Sequence, residues 1–315
     1  MKSLLCLVAV LGLTYSAFAD DDTKPATAAK TDKAEVKIYD EKADAKALIE
    51  NALSSAKREN RRVLIQWGGN WCHWCVLLHK RFQTDASLAR ALRYEYDVVH
   101  IDSKNTELMK SYNVDLKAGV PYLTVLDVDG KVVTNQETEF FETKEDGKNG
   151  HDPKKLLEFL SKNQAKPKDA AEVLSTALAE ADKSGRMVFL HFGAPWCGWC
   201  HKLDAWLLRK EVAPIFGKDY VDVKIDNDRM IGAKEIFVKY NKDTNSGIPW
   251  FVILDSTGKA LATSDAGKSN IGFPYEPNEI EHFVKMLNET RKRLTDEDVK
   301  ALKVSLTPPA KGNVK

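Results

Sequence analysis

Cysteine is scarce in this chain of 315 residues: there are five, and four of them fall in two short motifs. An exported protein that is held together by disulfides places its cysteines far apart in sequence. No cysteines remain here for that purpose, so the sulfur atoms are expected to serve chemistry rather than to cross-link the fold.

Long apolar runs and an excess of one charge are also missing. After the first 19 residues, no segment is apolar enough to span a bilayer. The 47 basic and 46 acidic side chains leave a formal net charge of +1. This balance gives no electrostatic reason to expect nucleic acid or an acidic membrane as a partner.

The amino-terminal residues have the pattern of an export signal. Lys2 supplies the positive start, residues 4–13 form a short apolar run, and Ala-Phe-Ala at 17–19 is typical of a cleavage site. We expect a signal peptide at 1–19 that contains Cys6, and a flexible leader at 20–34. The mature chain is therefore expected to be exported, with a bacterial periplasm favoured and a secretory lumen or the extracellular space as alternatives.

The most informative feature that is present is a repeated pentapeptide. Trp-Cys-His-Trp-Cys at 71–75 recurs 125 positions later as Trp-Cys-Gly-Trp-Cys at 196–200, and each copy follows a strand-like run. A cysteine at the start of a helix is favoured as a thiolate by the free N–H groups and the helix dipole. The second cysteine lies one turn further on, where it can attack a mixed disulfide and release the partner.

The same offset of 125 holds outside the motif, which indicates a duplication. It matches Ala56 with Ala181 and Arg61 with Arg186, and it pairs Asn60 with Gly185, the residues expected to end the first helix of each half. We expect a first domain at 35–163, a linker at 164–169, a second domain at 170–290 and a charged tail at 291–315 with a short helix at 296–303.

Each half shows the same succession of elements. The first half predicts a strand at 36–39, a helix at 43–57, a strand at 63–67, a helix at 73–82, a strand at 98–102, a helix at 106–112, a hairpin from 122 to 134 and a helix at 153–162. The second half repeats this order from 171 to 288.

This order, with its Trp-Cys-x-x-Cys and a later Val/Ile-Pro before a hairpin, resembles the thioredoxin superfamily. The resemblance implies an α/β fold class: two tandem thioredoxin folds, each a central mixed β-sheet flanked by helices. It also assigns roles to residues: attacking cysteines Cys72 and Cys197, resolving cysteines Cys75 and Cys200, preceding tryptophans Trp71 and Trp196, and substrate-facing cis-prolines Pro121 and Pro249.

Two positions depart from the family pattern. The family buries a carboxylate six residues before the first cysteine, and this chain has Gln66 and His191 there. Gln66 cannot accept a proton, whereas His191 can do so near neutral pH or can simply be a hydrogen-bonded histidine of the strand. Between the cysteines, His73 favours a thiolate at Cys72 by charge, and Gly198 gives no such help.

The bulky residues between the cysteines are Trp74 and Trp199. They either cover exposed sulfur or form an apolar rim for unfolded polypeptide, and we favour the rim.

Three other functions are weighed against a redox enzyme. Residues 197–201 spell Cys-x-x-Cys-His, a covalent haem string, but the first copy has Val76 where the second has His201. Thiolate metal handling, by a shared zinc site or by Cu(I) capture, has no supporting methionine cluster. A polypeptide-binding module with weak turnover stays open because the buried carboxylate is missing.

The resulting expectation is an extracytoplasmic oxidoreductase that reduces or isomerises protein disulfides through two dithiols. This dithiol chemistry is expected to need no cofactor and no metal. The expected partners are disulfide- or thiol-containing proteins and an upstream redox partner, and a monomer is sufficient. The direction of electron flow is left open.

Overall fold

The computed structural model describes residues 37–307 apart from 146, 242–245 and 268. The expected signal peptide, the expected leader and residues 308–315 of the expected tail lie outside the described residues. Within those described, no helix is both long and apolar enough to cross a bilayer.

The first half contains five helices and six strands among its described residues. These are α1 (Ala45–Glu59), β1 (Arg62–Gly68), α2 (His73–Thr84), α3 (Ala86–Glu95), β2 (Tyr96–Asp102), α4 (Thr106–Ser111), β3 (Tyr122–Leu126), β4 (Val132–Glu137), β5 (Glu142–Glu145), β6 (Lys148–His151) and α5 (Pro153–Asn163).

The second half follows the same plan. Its elements are α6 (Ala170–Ser184), β7 (Met187–Gly193), α7 (Gly198–Leu207), α8 (Ala213–Phe216), β8 (Tyr220–Asp226), α9 (Ala233–Tyr240), β9 (Trp250–Leu254), β10 (Ala260–Thr263), β11 (Asp265–Ala266), β12 (Ser269–Asn270), α10 (Pro277–Thr290) and α11 (Asp296–Leu306).

The two main sheets have the same strand order. The first runs β2-β1-β3-β4 and the second runs β8-β7-β9-β10. In each, the strand before the cysteine motif is parallel to one neighbour and antiparallel to the other. The predicted fold class, a pair of mixed sheets flanked by helices, is confirmed.

Alternating apolar residues on β1 and β7 supply cores to both faces of each sheet. Val63, Ile65 and Trp67 pack in a core with α1, while Leu64 packs in a separate core with α2, α3 and α5. This arrangement follows from the period of two along a strand, which sends successive side chains to opposite faces. β1 and β7 are thereby buried on both faces and hold the motifs at a fixed end of the sheet.

The helix ends confirm the predicted capping residues. Asn60 and Gly185 have φ values of 52° and 66°, in the left-handed region, and they end α1 and α6. Asp152 caps α5, whose first residue is Pro153.

The strand expected at 36–39 is wrong over its described part. Residues 37–39 are irregular, because the backbone N–H groups of Ile38 and Tyr39 donate to Oδ1 of Asn70 instead of to a neighbouring strand. This pair of hydrogen bonds fixes Tyr39 beside the first cysteine motif. Helices α3 and α8 and the short hairpins β5–β6 and β11–β12 are further elements that the sequence pattern does not predict.

The short helix predicted at 296–303 within the charged tail is present as α11, which runs to Leu306. Helix α11 buries Val299, Leu302 and Leu306 in one of the two cores of the second half. The preceding turn is held by the buried carboxylate of Asp219, which accepts hydrogen bonds from the backbone N–H groups of residues 292–294. Up to Leu306 the chain is therefore part of the second core.

Candidate active sites

Each cysteine pair lies where a buried strand turns into a helix. Cys72 is the N-cap of α2 and Cys197 that of α7, and each Sγ accepts a hydrogen bond from the N–H of the second cysteine, at 3.2 and 3.1 Å. Both pairs are joined as disulfides. Cys72 and Cys197 are 6% and 4% exposed, against 0% for Cys75 and 1% for Cys200. The first sulfur of each pair is thus the one that solvent reaches more readily.

The expected prolines face the disulfides. The Val120–Pro121 and Ile248–Pro249 bonds are both cis, as predicted. The carbonyl oxygen before each proline approaches the first sulfur of its pair, at 3.5 Å from Cys72 Sγ and 3.6 Å from Cys197 Sγ. The backbone at this edge therefore lies directly beside the reactive bond.

Three of the four motif tryptophans are exposed. Trp71, Trp196 and Trp199 are 69%, 54% and 47% accessible. Trp74 is half-buried and packs edge-on against the ring of His151, with 5.4 Å between centroids. Of the two tryptophans between the cysteines, Trp199 is thus exposed and Trp74 is partly covered by His151, and the apolar rim for polypeptide stays a prediction.

A cleft adjoins the second disulfide. Trp199 stacks on Phe273 at 6.4 Å and tilts against Tyr275 at 6.0 Å. With Ile248 and Pro249, these rings line a cavity of about 570 Å³. Sequence reasoning missed Phe273 and Tyr275, because they lie after the β11–β12 hairpin in a segment without periodicity.

An amide and a phenol lie on the buried side of the first site. Gln66 Nε2 donates to the hydroxyl of Tyr39 at 2.8 Å and to the carbonyl oxygen of Cys75 at 3.3 Å. A methyl group on Gly68 would collide with both the Tyr39 hydroxyl and Cys75 Sγ. Burial raises the pKa of Tyr39 far above its usual value, so the phenol keeps its proton.

Two histidines occupy neighbouring positions on α2 and β2. His79 follows Cys75 by four residues on α2, and its Nδ1 lies 3.2 Å from Nε2 of His100, the neighbour of Gln66 on β2. Burial lowers the pKa of His79, and burial together with His79 lowers the pKa of His100 to about 4. Both rings are therefore uncharged at neutral pH.

The corresponding positions of the second site are charged. Asp204 stands four residues after Cys200, and Lys224 neighbours His191 across the strands. Lys224 Nζ lies 2.6 Å from Asp204 Oδ2. A methyl group on Gly193 would lie 3.3 Å from Cys200 Sγ and 3.5 Å from Lys224 Cε, so the second sulfur and the lysine stem both lie next to Gly193.

His191 belongs to this charged cluster. Its Nε2 is 3.0 Å from Asp222 Oδ1, close enough for an ion pair although not aligned as a hydrogen bond, and its Nδ1 is 3.8 Å from Asp204. Burial alone would lower the pKa of His191, but the carboxylates of Asp222 and Asp204 outweigh burial and raise it. The imidazolium form is thereby favoured.

The remaining candidate side chains take no part in these clusters. His73 is exposed on the first turn of α2. His201 lies 3.0 Å from the carbonyl oxygen of Pro195 through Nε2. In the part of the chain that the structure describes, no group of three or more His, Cys, Asp or Glu side chains is arranged to hold a metal ion.

Comparison with known proteins finds related sequences for both halves. A thioredoxin-like family model matches residues 44–127. A thioredoxin-type model for a family described as a protein of unknown function, DUF255, matches residues 153–305. Among curated proteins, spermatogenesis-associated protein 20 from Homo sapiens is 27% identical over 75 residues, which are 24% of this chain. The matched stretch spans only 10% of that human protein.

Solved structures of single domains are also similar. A disulphide isomerase from Xylella fastidiosa Temecula1 is 27% identical, with 40% of this chain and 95% of that chain covered and a TM-score of 0.33. The C-terminal domain of DsbD from Neisseria meningitidis, in its oxidised form, is 18% identical, with 39% and 97% covered and a TM-score of 0.30. Because both halves share one strand order and each is matched by a thioredoxin-type family model, the chain is a protein of the thioredoxin superfamily with two disulfide centres.

Proposed function

We propose that this thiol–disulfide oxidoreductase acts outside the cytoplasm and reduces or isomerises disulfides in protein substrates. The observation that carries the proposal is the repeated geometry of the two sites. In each, a disulfide sits at a helix start with its more exposed sulfur within 3.6 Å of the carbonyl oxygen before a proline. An extended client segment would pair with that backbone edge.

In the first step, the reduced Cys197 attacks a client disulfide as a thiolate. One client sulfur leaves as a thiolate, and the other forms a mixed disulfide with Cys197. The N-cap position of Cys197 favours the anion, because the N–H of Cys200 points at its sulfur and the helix dipole adds to the effect. Cys72 has the same surroundings and is assigned the same role.

In the second step, Cys200 loses its proton and attacks Cys197. A disulfide forms between the two, and the second client sulfur leaves as a thiol, so two electrons have passed from the dithiol to the client. His191, held as imidazolium, favours the Cys200 thiolate by charge. We assign the carboxylate of Asp204, one helical turn below Cys200, as the proton acceptor, because an imidazolium has no free lone pair.

The first site has neither a carboxylate at the position of Asp204 nor a lysine at the position of Lys224. Gln66 accepts no proton, Tyr39 keeps its own, and burial lowers the pKa of His79 and His100, which makes both histidines weaker proton acceptors. Slow proton transfer from the second cysteine favours a second function for the first half. In this function the first half is a binding module that holds a client and turns over slowly. Measuring each dithiol separately distinguishes the two functions.

The aromatic cleft beside Trp199 supports polypeptide as the substrate. Trp199, Phe273 and Tyr275 present ring faces beside the cis-proline edge, where a client side chain next to its cysteine would lie. A cleft of about 570 Å³ accommodates one or two large apolar side chains. Such side chains are exposed mainly in unfolded or misfolded proteins.

The cycle ends with the oxidised pair, so an upstream dithiol protein has to return two electrons for reduction to continue. Isomerisation needs no net electrons, because the attacking cysteine is released when the client rearranges. Neither reaction requires a cofactor in this chain. Export, expected from residues 1–19, would place the protein where client disulfides persist.

The test measures both activities on the full mature chain. Reduction of insulin by dithiothreitol and refolding of scrambled ribonuclease are compared for the parent, Cys72→Ser, Cys197→Ser and the double variant. We expect the double variant to lose both activities and Cys197→Ser to lose most of them. Full activity in the double variant would contradict the proposal, and binding of unfolded client without turnover in the parent would leave a binding module.

A further inference from the structure

The two halves meet through charged and polar contacts next to the second disulfide. Arg229 donates to the backbone carbonyl oxygens of Glu59 and Asn60 at 2.8 and 2.9 Å. The same guanidinium pairs with Glu95 at 2.8 Å. These contacts fix the end of α1 against the segment that follows β8.

Lys224 joins the halves most directly. Its ammonium lies 2.8 Å from Oε2 of Glu59 in the first half and 2.6 Å from Oδ2 of Asp204 in the second. All three groups are largely buried. Burial would lower the pKa of Lys224, but Asp204 and Glu59 outweigh burial and raise it. Burial would raise the pKa of Glu59, but Lys224 outweighs burial and lowers it. Lys224 and Glu59 are therefore charged together at neutral pH.

A second contact reaches the other side of the same site. Oδ2 of Asp228 accepts hydrogen bonds from Trp196 Nε1 and from the Tyr94 hydroxyl, both at 2.9 Å. Trp196 directly precedes Cys197, and Tyr94 belongs to α3 of the first half. Asp228 thus links α3 of the first half to the residue that precedes Cys197.

The first site has a different arrangement at the matching positions. His79 and His100 stand where the second half has Asp204 and Lys224, and both are neutral. Among the described residues, no ion pair from the second half is recorded for either histidine. The contact through Lys224 therefore acts on one dithiol only.

We propose that Glu59 is a positioning residue for the second dithiol: it holds the Lys224 ammonium beside Cys200 and partly neutralises it, so that the first half of the chain sets how readily the second dithiol ionises. The proposal rests on the dithiol chemistry proposed above. The charged groups that enter this balance are Glu59, Arg58 and Arg61 of the first half and His191, Asp204, Asp222 and Asp226 of the second.

The direction of the effect follows from charge. Removing the carboxylate of Glu59 leaves the ammonium less compensated, which favours a thiolate nearby and lowers the thiol pKa of the second dithiol. Removing the ammonium of Lys224 is expected to raise the thiol pKa of the second dithiol. A merely structural contact would not produce shifts of opposite sign from its two members.

The experiment uses the full mature chain with Cys72 and Cys75 replaced by serine, so that only the second dithiol titrates. The thiolate absorbance of the reduced protein is followed against pH for the parent, Glu59→Gln and Lys224→Gln. We expect Glu59→Gln to increase the thiolate-to-thiol ratio near neutral pH by about threefold or more, half a unit of pKa, and Lys224→Gln to decrease it.

Two controls separate this effect from general charge. Glu50→Gln removes an equal charge from an exposed position of the same helix and is expected to cause no shift. In the reciprocal chain, with only Cys72 and Cys75, Glu59→Gln is expected to leave the titration unchanged. If Glu59→Gln does not fold, Glu59→Asp is used instead. Its side chain is one methylene shorter, so its carboxylate lies further from Lys224, and the thiol pKa is expected to shift in the same direction by a smaller amount.

An unchanged titration of the second dithiol, shifts of the same sign in both variants, or equal shifts at both dithiols would overturn the proposal. The measurement needs neither a client nor an upstream partner. The outcome of the titration is therefore independent of whether the protein reduces insulin. Failure of the proposed function would be seen in the insulin and ribonuclease assays instead.

Discussion

Gln66 Nε2 donates a hydrogen bond of 2.8 Å to the hydroxyl of Tyr39, and this uncharged pair lies on the buried side of the first disulfide. At the same position of the repeat, His191 lies among Asp204, Asp222 and Lys224. The exposed sides of the two sites are alike, with a cysteine N-cap, a tryptophan and a cis-proline. The two sites differ on their buried sides, where the side chains that can exchange a proton with the second cysteine lie.

Replacing the second cysteine of each pair should trap mixed disulfides with clients. In Cys75→Ser and Cys200→Ser the more exposed sulfur can still attack, but nothing resolves the product. The matched variants Cys72→Ser and Cys197→Ser leave only a buried sulfur. Non-reducing gels after incubation of the reduced variants with a client that contains disulfides, such as scrambled ribonuclease, measure the trapped species. Traps that form with the matched variants instead would reverse the assignment of attacking and resolving roles.

The two dithiols should differ in reduction potential and in the rate of release. We expect the first to be more oxidising, because His73 adjoins Cys72, and slower to release a client, because Gln66 accepts no proton. Redox titration of each dithiol, with the other pair replaced by serine, measures the potentials. Values that agree within about 10 mV, well under 1 kcal/mol for two electrons, would contradict this expectation.

Alanine at the two equivalent glycines should have unequal effects. At Gly68 the new methyl would overlap the Tyr39 hydroxyl and Cys75 Sγ, whereas at Gly193 its closest neighbours lie at 3.2 and 3.3 Å on Cys200. We expect Gly68→Ala to lower the free energy of unfolding by about 1–3 kcal/mol and Gly193→Ala by less. Urea titration of both variants measures the difference, and an equal or reversed order would show that Tyr39 does not confine this site.

Acid should destabilise the chain partly through His100. Its pKa in the folded state, about 4, is below the ordinary value of 6.5. The unfolded chain therefore binds the proton first, so the contribution of His100 is complete above about pH 6.5 and is lost as the pH falls towards 4. Between about pH 7 and pH 5 we expect the parent to lose roughly 1–2 kcal/mol more than His100→Gln. Urea titrations at both pH values measure this difference, and parallel losses would contradict it.

Removing a ring from the cleft should weaken client binding without changing the chemistry. In Phe273→Ala the KM for an unfolded protein is expected to rise severalfold, while the rate with a small disulfide such as oxidised glutathione stays unchanged. Phe140→Ala, which removes an exposed ring from the first half, is the matched control. If both substrates slowed equally, the ring would be supporting the disulfide rather than contacting the client.

Much of the framework follows from sequence pattern alone. Whereas the two cis-prolines are expected from the resemblance to the thioredoxin superfamily, the offset of 125 residues, the buried strands before the motifs and the capping residues Asn60 and Gly185 all depend on local chemistry that a pattern records. Tyr39 does not, because Asn70 places it without any periodic element. Nor does the pairing of Glu59 with Lys224, since they are 165 residues apart and neither lies in a distinctive charge pattern.

The turn at Asp219 determines the smallest second half that can be expressed by itself. A fragment that stops at Thr290 would leave this carboxylate buried without the three backbone N–H groups it binds, and it would uncover the apolar surface that α11 protects. The matched family region, which runs to residue 305, includes this helix almost completely. A stable fragment therefore has to extend to Leu306, and protease digestion of the whole protein should leave α11 attached to the second half.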